Sequence, residues 1–391
     1  MLGILSAAEL MGMSVWFGAS AVAPHLRDVW GLTGGQTGWL TSVVQLGFVA
    51  GTLLAAILNL ADVFPSRAYF AASALLAAGT NAGLVVAGGY GEALALRFLT
   101  GLALAGVYPP AMKMAATWFR ERRGLAIGTV VGALTVGKAS PYLVDALGGA
   151  GVGFVVWSTS TAAAGAAVLV LATYRDGPFA FARRPFSWAL VGTVLRVREW
   201  RLATGGYLGH MWELYAFWTW ISAFLAASAA ARAQAGFAVP GSGALGVLGF
   251  LAIAIGGPAC LWGGLQADRI GYERLTMRAM ATSGSCALLI GFLFGADPWL
   301  VASLAALWGF FVIADSAQFS ALVTEVVPMH AVGTALTIQT SAGFLLTMAT
   351  IQLVPLVAES AGWRWAFPAL AAGPALGILA IRRLRRIRTA A

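Results

Sequence analysis

Nearly the whole chain consists of apolar runs of about bilayer-spanning length, separated by short clusters of Arg, Asp, Pro and Gly. A helix crossing the hydrocarbon core needs about 20 apolar residues. Only helices and closed barrels can cross, because backbone polar groups find no water there. In the first half the runs cover 3–24, 38–60, 68–88, 93–116, 124–147 and 152–173. In the second half they cover 202–229, 242–264, 276–296, 299–321, 333–357 and 365–382. The expectation is an all-α integral membrane protein with twelve transmembrane helices. Only 10% of the residues are charged and 60% are hydrophobic, where a soluble domain carries roughly 25% charge. A water-soluble globular enzyme is therefore excluded.

The longest polar stretch, 174–201, reads as a cytoplasmic linker between an N-terminal bundle, 1–173, and a C-terminal bundle, 202–391, that ends in a basic tail. The first run has no basic leader region and carries Glu9, which reads against a cleaved signal peptide. The net charge of +9 would suit nucleic acid, but the arginines sit in short loops, where membrane topology accounts for them. With a cytoplasmic N-terminus, the inside loops hold Arg67, Arg120, Arg122, Arg123, Arg269, Arg274 and Arg278, besides the linker and tail arginines. The outside loops hold only Arg27, Arg232 and Arg364, so both termini are expected inside. Arginine far outnumbers lysine and alanine is abundant, which points to a GC-rich bacterium and its cytoplasmic (inner) membrane.

The two halves echo each other. Glu9-Leu10 with Trp16 returns as Glu213-Leu214 with Trp220, Asp62 returns as Asp268, and Arg123-Gly124-Leu125-Ala126 returns as Val332-Gly333-Thr334-Ala335. Two parallel six-helix repeats enclosing a midplane site are an architecture of secondary transporters.

The loop after the eighth run reads Gly264-Leu265-Gln266-Ala267-Asp268-Arg269-Ile270-Gly271-Tyr272-Glu273-Arg274. It resembles the G-x-x-x-D-R-x-G-x-x-R signature of the major facilitator superfamily (MFS). A degraded copy after the second run keeps Asp62 and Arg67. Arg97-Phe98-Leu99-Thr100-Gly101, continuing to Gly106, resembles the family's fourth-helix motif, and Trp118-Phe119 with Arg122-Arg123-Gly124 its entry into helix five. Gly137-Lys138-Ala139-Ser140-Pro141 matches the family's antiporter motif poorly. The resemblance implies the MFS fold: two pseudo-symmetric six-helix bundles around a cavity lined by helices 1, 4, 7 and 10. It also implies a conformational latch at Asp62, Arg67, Gly264, Asp268, Arg269, Gly271 and Arg274. A carboxylate or arginine at such a helix end can bridge to a neighbouring helix and must release it when the face opens. The glycine stripes Gly124, Gly128, Gly132 and Gly47, Gly51 suit close helix packing.

Ionisable residues inside spans cost at least ~2.5–3.5 kcal/mol each, so their positions carry information. They are Glu9, Arg97, Lys113, Lys138, Asp145, His210, Glu213 and Asp315, and six of these eight fall on runs 1, 4, 7 and 10. Arg97 and Lys113 are expected to snorkel to the interfaces, and Lys138 with Asp145 to pair across the packing seam or snorkel outward in a structural role. Run seven is richest: His210 and Glu213 share a face with Phe217 and Trp220. A carboxylate beside aromatic surface can exchange a proton near neutral pH. Candidate substrate- and proton-binding residues are therefore Glu9, Trp16, Tyr108, His210, Glu213, Phe217, Trp220 and Asp315, with Glu213 as the expected proton carrier.

No zinc-protease, serine-hydrolase or Walker motif occurs, so neither an enzyme nor an ATP-driven pump is expected, and no metal or other cofactor. Cys260 and Cys286 lie in apolar runs and read as packing residues. The expected function is proton-coupled secondary transport of a small neutral or cationic organic solute by a monomer in the lipid bilayer. The alternatives are a uniporter of a polar solute and a non-transporting sensor of the same fold.

Overall fold

The computed structural model describes residues 1–119, 123–148, 151–179 and 186–390, without the side chains of Ala61, Asp62, Arg123 and Ala390. Among the described residues every regular element is helical, and eleven helices are long and apolar enough to cross a membrane. They are α2 (Gly34–Ile57), α3 (Ser66–Val85), α4 (Tyr90–Trp118), α5 (Gly124–Gly148), α6 (Gly151–Thr173) and α7 (Arg198–Gln234). The series continues with α8 (Ser242–Ile270), α9 (Tyr272–Leu293), α10 (Pro298–Val326), α11 (Met329–Ala361) and α12 (Trp363–Thr389). The shorter apolar helix Leu2–Met13, α1, precedes them and makes a twelfth.

The sequence suggests one unbroken first run, but α1 ends at Met13. The chain turns through 14–17 before the short helices Gly18–Ala21 and Ala23–Trp30 continue it. Local bonding from Ser14 favours the turn, since its hydroxyl donates to the Met11 carbonyl at 2.7 Å and to the Thr159 carbonyl of α6 at 3.2 Å. Later spans are interrupted too, among them α4 at 105–107, α8 at Ile255, α10 at Asp315 and α12 at Phe367. In α4 the lower segment starts at Tyr108-Pro109-Pro110, where proline's missing N–H is harmless only in a first turn. By contrast α7 runs unbroken for 37 residues and begins at Arg198, inside the stretch read as linker. The linker also contains a helix, Trp188–Arg196. It is fastened at one end by Trp118 Nε1, which donates to the Arg175 carbonyl at 2.8 Å, and at the other by Ser187 N, which donates to Thr334 Oγ1 at 2.9 Å.

The packing repeats with a shift of six helices. Within the first half α1 packs on α5 and α6, α2 on α4, and α3 on α4 and α6. Within the second half α7 packs on α11 and α12, α8 on α10, and α9 on α10 and α12. The bundles meet along two seams, α2 against α11 and α5 against α8. Glycines set these approaches. A Cβ on Gly132 would stand 2.7 Å from the Gly257 carbonyl, and one on Gly128 3.3 Å from that of Cys260, so part of the expected α5 stripe lies against α8. Gly47 and Gly51 face the α4 backbone at Phe98 and Leu102 instead. At the α8–α9 turn Gly271 has φ of +86°, a backbone that side chains with a Cβ resist.

Candidate functional site

Arg97 sits on α4 and, contrary to the snorkelling expected from sequence, is fully buried. Nη1 donates to the Val15 carbonyl and to Asn81 Oδ1, each at 3.0 Å, and Nη2 donates to the Trp16 carbonyl. The broken stretch of α1 offers carbonyls that a continuous helix would have consumed, and a guanidinium fork matches several acceptors at once. Asn81 of α3 in turn donates to Ser160 Oγ at 2.9 Å and to Thr159 Oγ1 at 3.1 Å. The α1 turn is thereby tied to three other spans, and this fixes where Trp16 points.

A buried cluster forms where side chains of α1, α5 and α7 meet. A Cβ on Gly137 would overlap the backbone of Leu10, so α1 and α5 cross with almost nothing between them. Their next residues, Glu9 and Lys138, flank the crossing, are buried, and lie within electrostatic reach of each other. Neither carboxylate oxygen of Glu9 accepts a hydrogen bond from the protein. Lys138 departs from expectation, because it neither snorkels nor pairs with Asp145, which is exposed near His25. Its Nζ donates to the Tyr215 hydroxyl at 2.5 Å and stands 3.7 Å from the ring centroid of Trp16. The rings of Tyr215 and Trp218 are 4.8 and 5.5 Å away. Trp16 is further packed on Phe48 of α2 and Phe344 of α11, with centroids 5.1 and 5.8 Å apart. Tyr108, the first residue below the α4 break, lies within electrostatic reach of Glu9.

On α7 the expected cluster of residues divides. Glu213 and Phe217 turn into the C-terminal bundle. Glu213 Oε1 accepts from Trp308 Nε1 and Oε2 from Ser283 Oγ, both at 2.7 Å, while Phe217 stacks on Trp308 at 4.5 Å. Trp220 Nε1 donates to the Ile351 carbonyl of α11 at 2.9 Å. His210 joins Asp315 at the α10 break, with Nδ1 2.8 Å from Oδ1, while its Nε2 has no hydrogen-bond partner. The face of α7 that crosses to the other bundle carries Tyr215 and Trp218, which sequence reasoning missed. They lie three residues apart, a legible helical spacing, but Glu213 and Phe217 give the opposite side an equally aromatic pattern. Tyr142 of α5 completes the crossing, donating from its hydroxyl to the Trp218 carbonyl at 3.1 Å.

Of the expected latch, Asp268, Arg269, Gly271, Arg274 and Arg67 are exposed, Gly264 is half-buried, and the side chain of Asp62 lies outside the described residues. Two ion pairs on that face are made by residues the motif does not name: Arg388 of the tail donates to Glu273 Oε1 at 2.5 Å and to Glu325 Oε2 at 2.7 Å. Among the described residues no three His, Cys, Asp or Glu side chains converge as a metal site.

Residues 4–348 match the sequence model of the Major Facilitator Superfamily. The chain belongs to that superfamily and is a multi-pass membrane transporter with its fold. Solved structures share the architecture. A point mutant of the nucleoside transporter NupG superposes with a TM-score of 0.73 at 13% identity, covering 98% of this chain and 100% of that one. A bacterial homologue of the human lysosomal transporter Spinster, in an inward-facing and occupied conformation, gives 0.72 at 14% identity over 98% and 96% of the two chains. At this identity the likeness concerns the fold. A search of curated protein sequences returns no match.

Proposed function

We propose that this protein couples a proton to the movement of a small organic solute, neutral or cationic, by alternating access. In this reading it works as a monomer in a bacterial cytoplasmic membrane with both termini inside. The observation that carries the proposal is the Glu9 carboxylate, buried at the α1–α5 crossing with neither oxygen hydrogen-bonded by the protein. A buried carboxylate without donors is costly when charged unless a cation balances it. Lys138 is within reach to do so, and a proton can replace it. The proton-carrying role expected of Glu213 passes to Glu9 for this reason. Glu213 already accepts two hydrogen bonds that hold α7 against α9 and α10. His210 and Asp315 form a second buried acid–base pair, the next candidate for the proton.

The test uses protein reconstituted in vesicles that enclose a pH dye, with a panel of small amines and neutral polar solutes. Glu9→Gln is expected to abolish gradient-driven accumulation of the transported solute while solute exchange at zero gradient persists. Glu213→Gln is expected to unfold at a lower temperature yet keep gradient coupling. Undiminished accumulation by Glu9→Gln would sink the proposal and shift the proton to His210 and Asp315. Proton-independent flux in the wild type would mean a uniporter.

Asp268, exposed here, is assigned to a contact formed only when the face bearing the termini closes. Asp268→Asn should slow turnover by roughly tenfold, the factor for loss of about 1.4 kcal/mol from a charge-assisted hydrogen bond. Expression and solute affinity should stay unchanged; wild-type turnover would reduce the loop to a charged turn.

A further inference from the structure

Lys138 places an ammonium group where a ligand's ammonium would be expected to sit. Two indoles and a phenol surround Nζ at 3.7–5.5 Å, and the phenol adds an acceptor at 2.5 Å. Ring faces carry partial negative charge, so converging aromatic faces form a receptor for alkylammonium groups. A purely structural lysine would be satisfied by one carboxylate, and Glu9 stands nearby without a donor. The rings also come from both bundles, Trp16 from α1 and Tyr215 with Trp218 from α7, so the cage exists only while these surfaces face each other. Phe17 extends the aromatic wall, 6.2 Å from Trp218 and 6.4 Å from Tyr215.

We infer that this cage is an organic-ammonium subsite whose resident occupant is the side chain of Lys138, and that the transported solute is an organic cation that displaces it. The displaced lysine, on its flexible four-carbon stem, moves to Glu9. The inference rests on the proposed proton role of Glu9 for that last step alone. Ionised, Glu9 receives the lysine and the cage is free for solute. Protonated, it offers no charge, and Lys138 returns to the rings. Proton and solute then exclude each other, the requirement for exchange. The titratable groups facing Glu9 are Lys138 from α5 and Tyr108 from α4, while α6, also packed on α1, carries no ionisable side chain. Lys138 is faced by Glu9 and by Tyr215 of α7. A solute anion fits poorly, because it would meet the Glu9 carboxylate and the negative ring faces before reaching a lysine that is 2% exposed.

The experiment titrates purified full-length protein with tetramethylammonium, and separately with acetate, following heat and tryptophan fluorescence at acidic and mildly alkaline pH. Wild-type affinity for tetramethylammonium is expected to rise with pH. Lys138→Ala should bind it about tenfold more tightly and with little pH dependence, the gain that ~1.4 kcal/mol of cation–π contact corresponds to. Lys138→Met, which refills the cage with an apolar chain, should show no gain, and adding Trp16→Ala to Lys138→Ala should erase it. Should Lys138→Ala not fold, wild type against Trp16→Ala decides: tetramethylammonium binding that Trp16→Ala weakens supports the cage, and absent or unweakened binding overturns it. Acetate binding that disappears in Lys138→Ala also overturns it, in favour of an anionic solute. Gradient-driven accumulation by Glu9→Gln judges the proton proposal separately, whatever the titrations return.

Discussion

Arg97→Met is expected to lower the unfolding temperature of the purified protein by on the order of 10 °C, from a loss of roughly 3–5 kcal/mol. The guanidinium is fully buried and donates to three acceptors, the Val15 and Trp16 carbonyls and Asn81 Oδ1. Methionine fills much of the same volume but leaves the Trp16 carbonyl and Asn81 Oδ1 without donors in a dry interior, while the Val15 carbonyl keeps Gly18 N. Each such orphan costs about 1–3 kcal/mol. Solute affinity should fall as well, since the turn aims Trp16 at Lys138. Arg97→Lys should be intermediate, because a single ammonium cannot reproduce the fork. Thermal unfolding followed by tryptophan fluorescence measures the series. An unfolding temperature unchanged in Arg97→Met would show that Ser14 and the α6 contacts hold the turn without it.

Gly101→Val should prevent recovery of folded protein altogether. A Cβ at Gly101 would overlap the Val44 carbonyl of α2, and across the same contact one at Gly47 would overlap the Phe98 carbonyl of α4. Overpacking against flexible side chains costs about 1–3 kcal/mol. Here the colliding atoms are backbone on both sides, so relief requires moving whole helices, and α2 also forms the seam with α11. Gly79→Ala is the control, since a Cβ there meets nothing within 4 Å and the site is helical and exposed. That change should be neutral or stabilising by up to ~1 kcal/mol. Size-exclusion yield from solubilised membranes reads both variants. Recovery of monodisperse Gly101→Val at wild-type yield would mean that α2 and α4 can separate cheaply.

Arg97 and Gly101 belong to one motif with Gly106, and their partners explain the spacing. Arg97 reaches the α1 turn, Gly101 meets Val44, and a Cβ on Gly106 would collide with Ser73 of α3. The motif was legible as Arg97-Phe98-Leu99-Thr100-Gly101, but the positions it touches lie on other helices. The break beside Pro109-Pro110 was legible too, because proline acts on its own turn. The α1 break was not, since part of what holds it is an arginine 81 residues away. His210 and Glu213 could be placed on one helix by counting, yet their partners, Asp315 for one and Trp308 with Ser283 for the other, could not.

The sequence by itself determined the properties that arise from single helices and their order. These are the apolar run lengths that make spans, the arginine clusters between them, the repeated Glu-Leu and Trp spacing, and the presence of costly charges inside apolar runs. Bilayer physics acts on each span separately, so these signals survive in one dimension. Which way each helix turns was decided only in the tertiary structure. A span apolar on all sides has no polar face to orient it, and any of its sides can be buried. Rotation is set by whichever neighbours interlock: Gly137 against Leu10 brings Lys138 beside Glu9, and α7 presents Tyr215, not Glu213, to the opposite bundle. The cage around Lys138 is therefore a product of helix packing, assembled from residues at least 77 positions from the lysine, and no local pattern announces it.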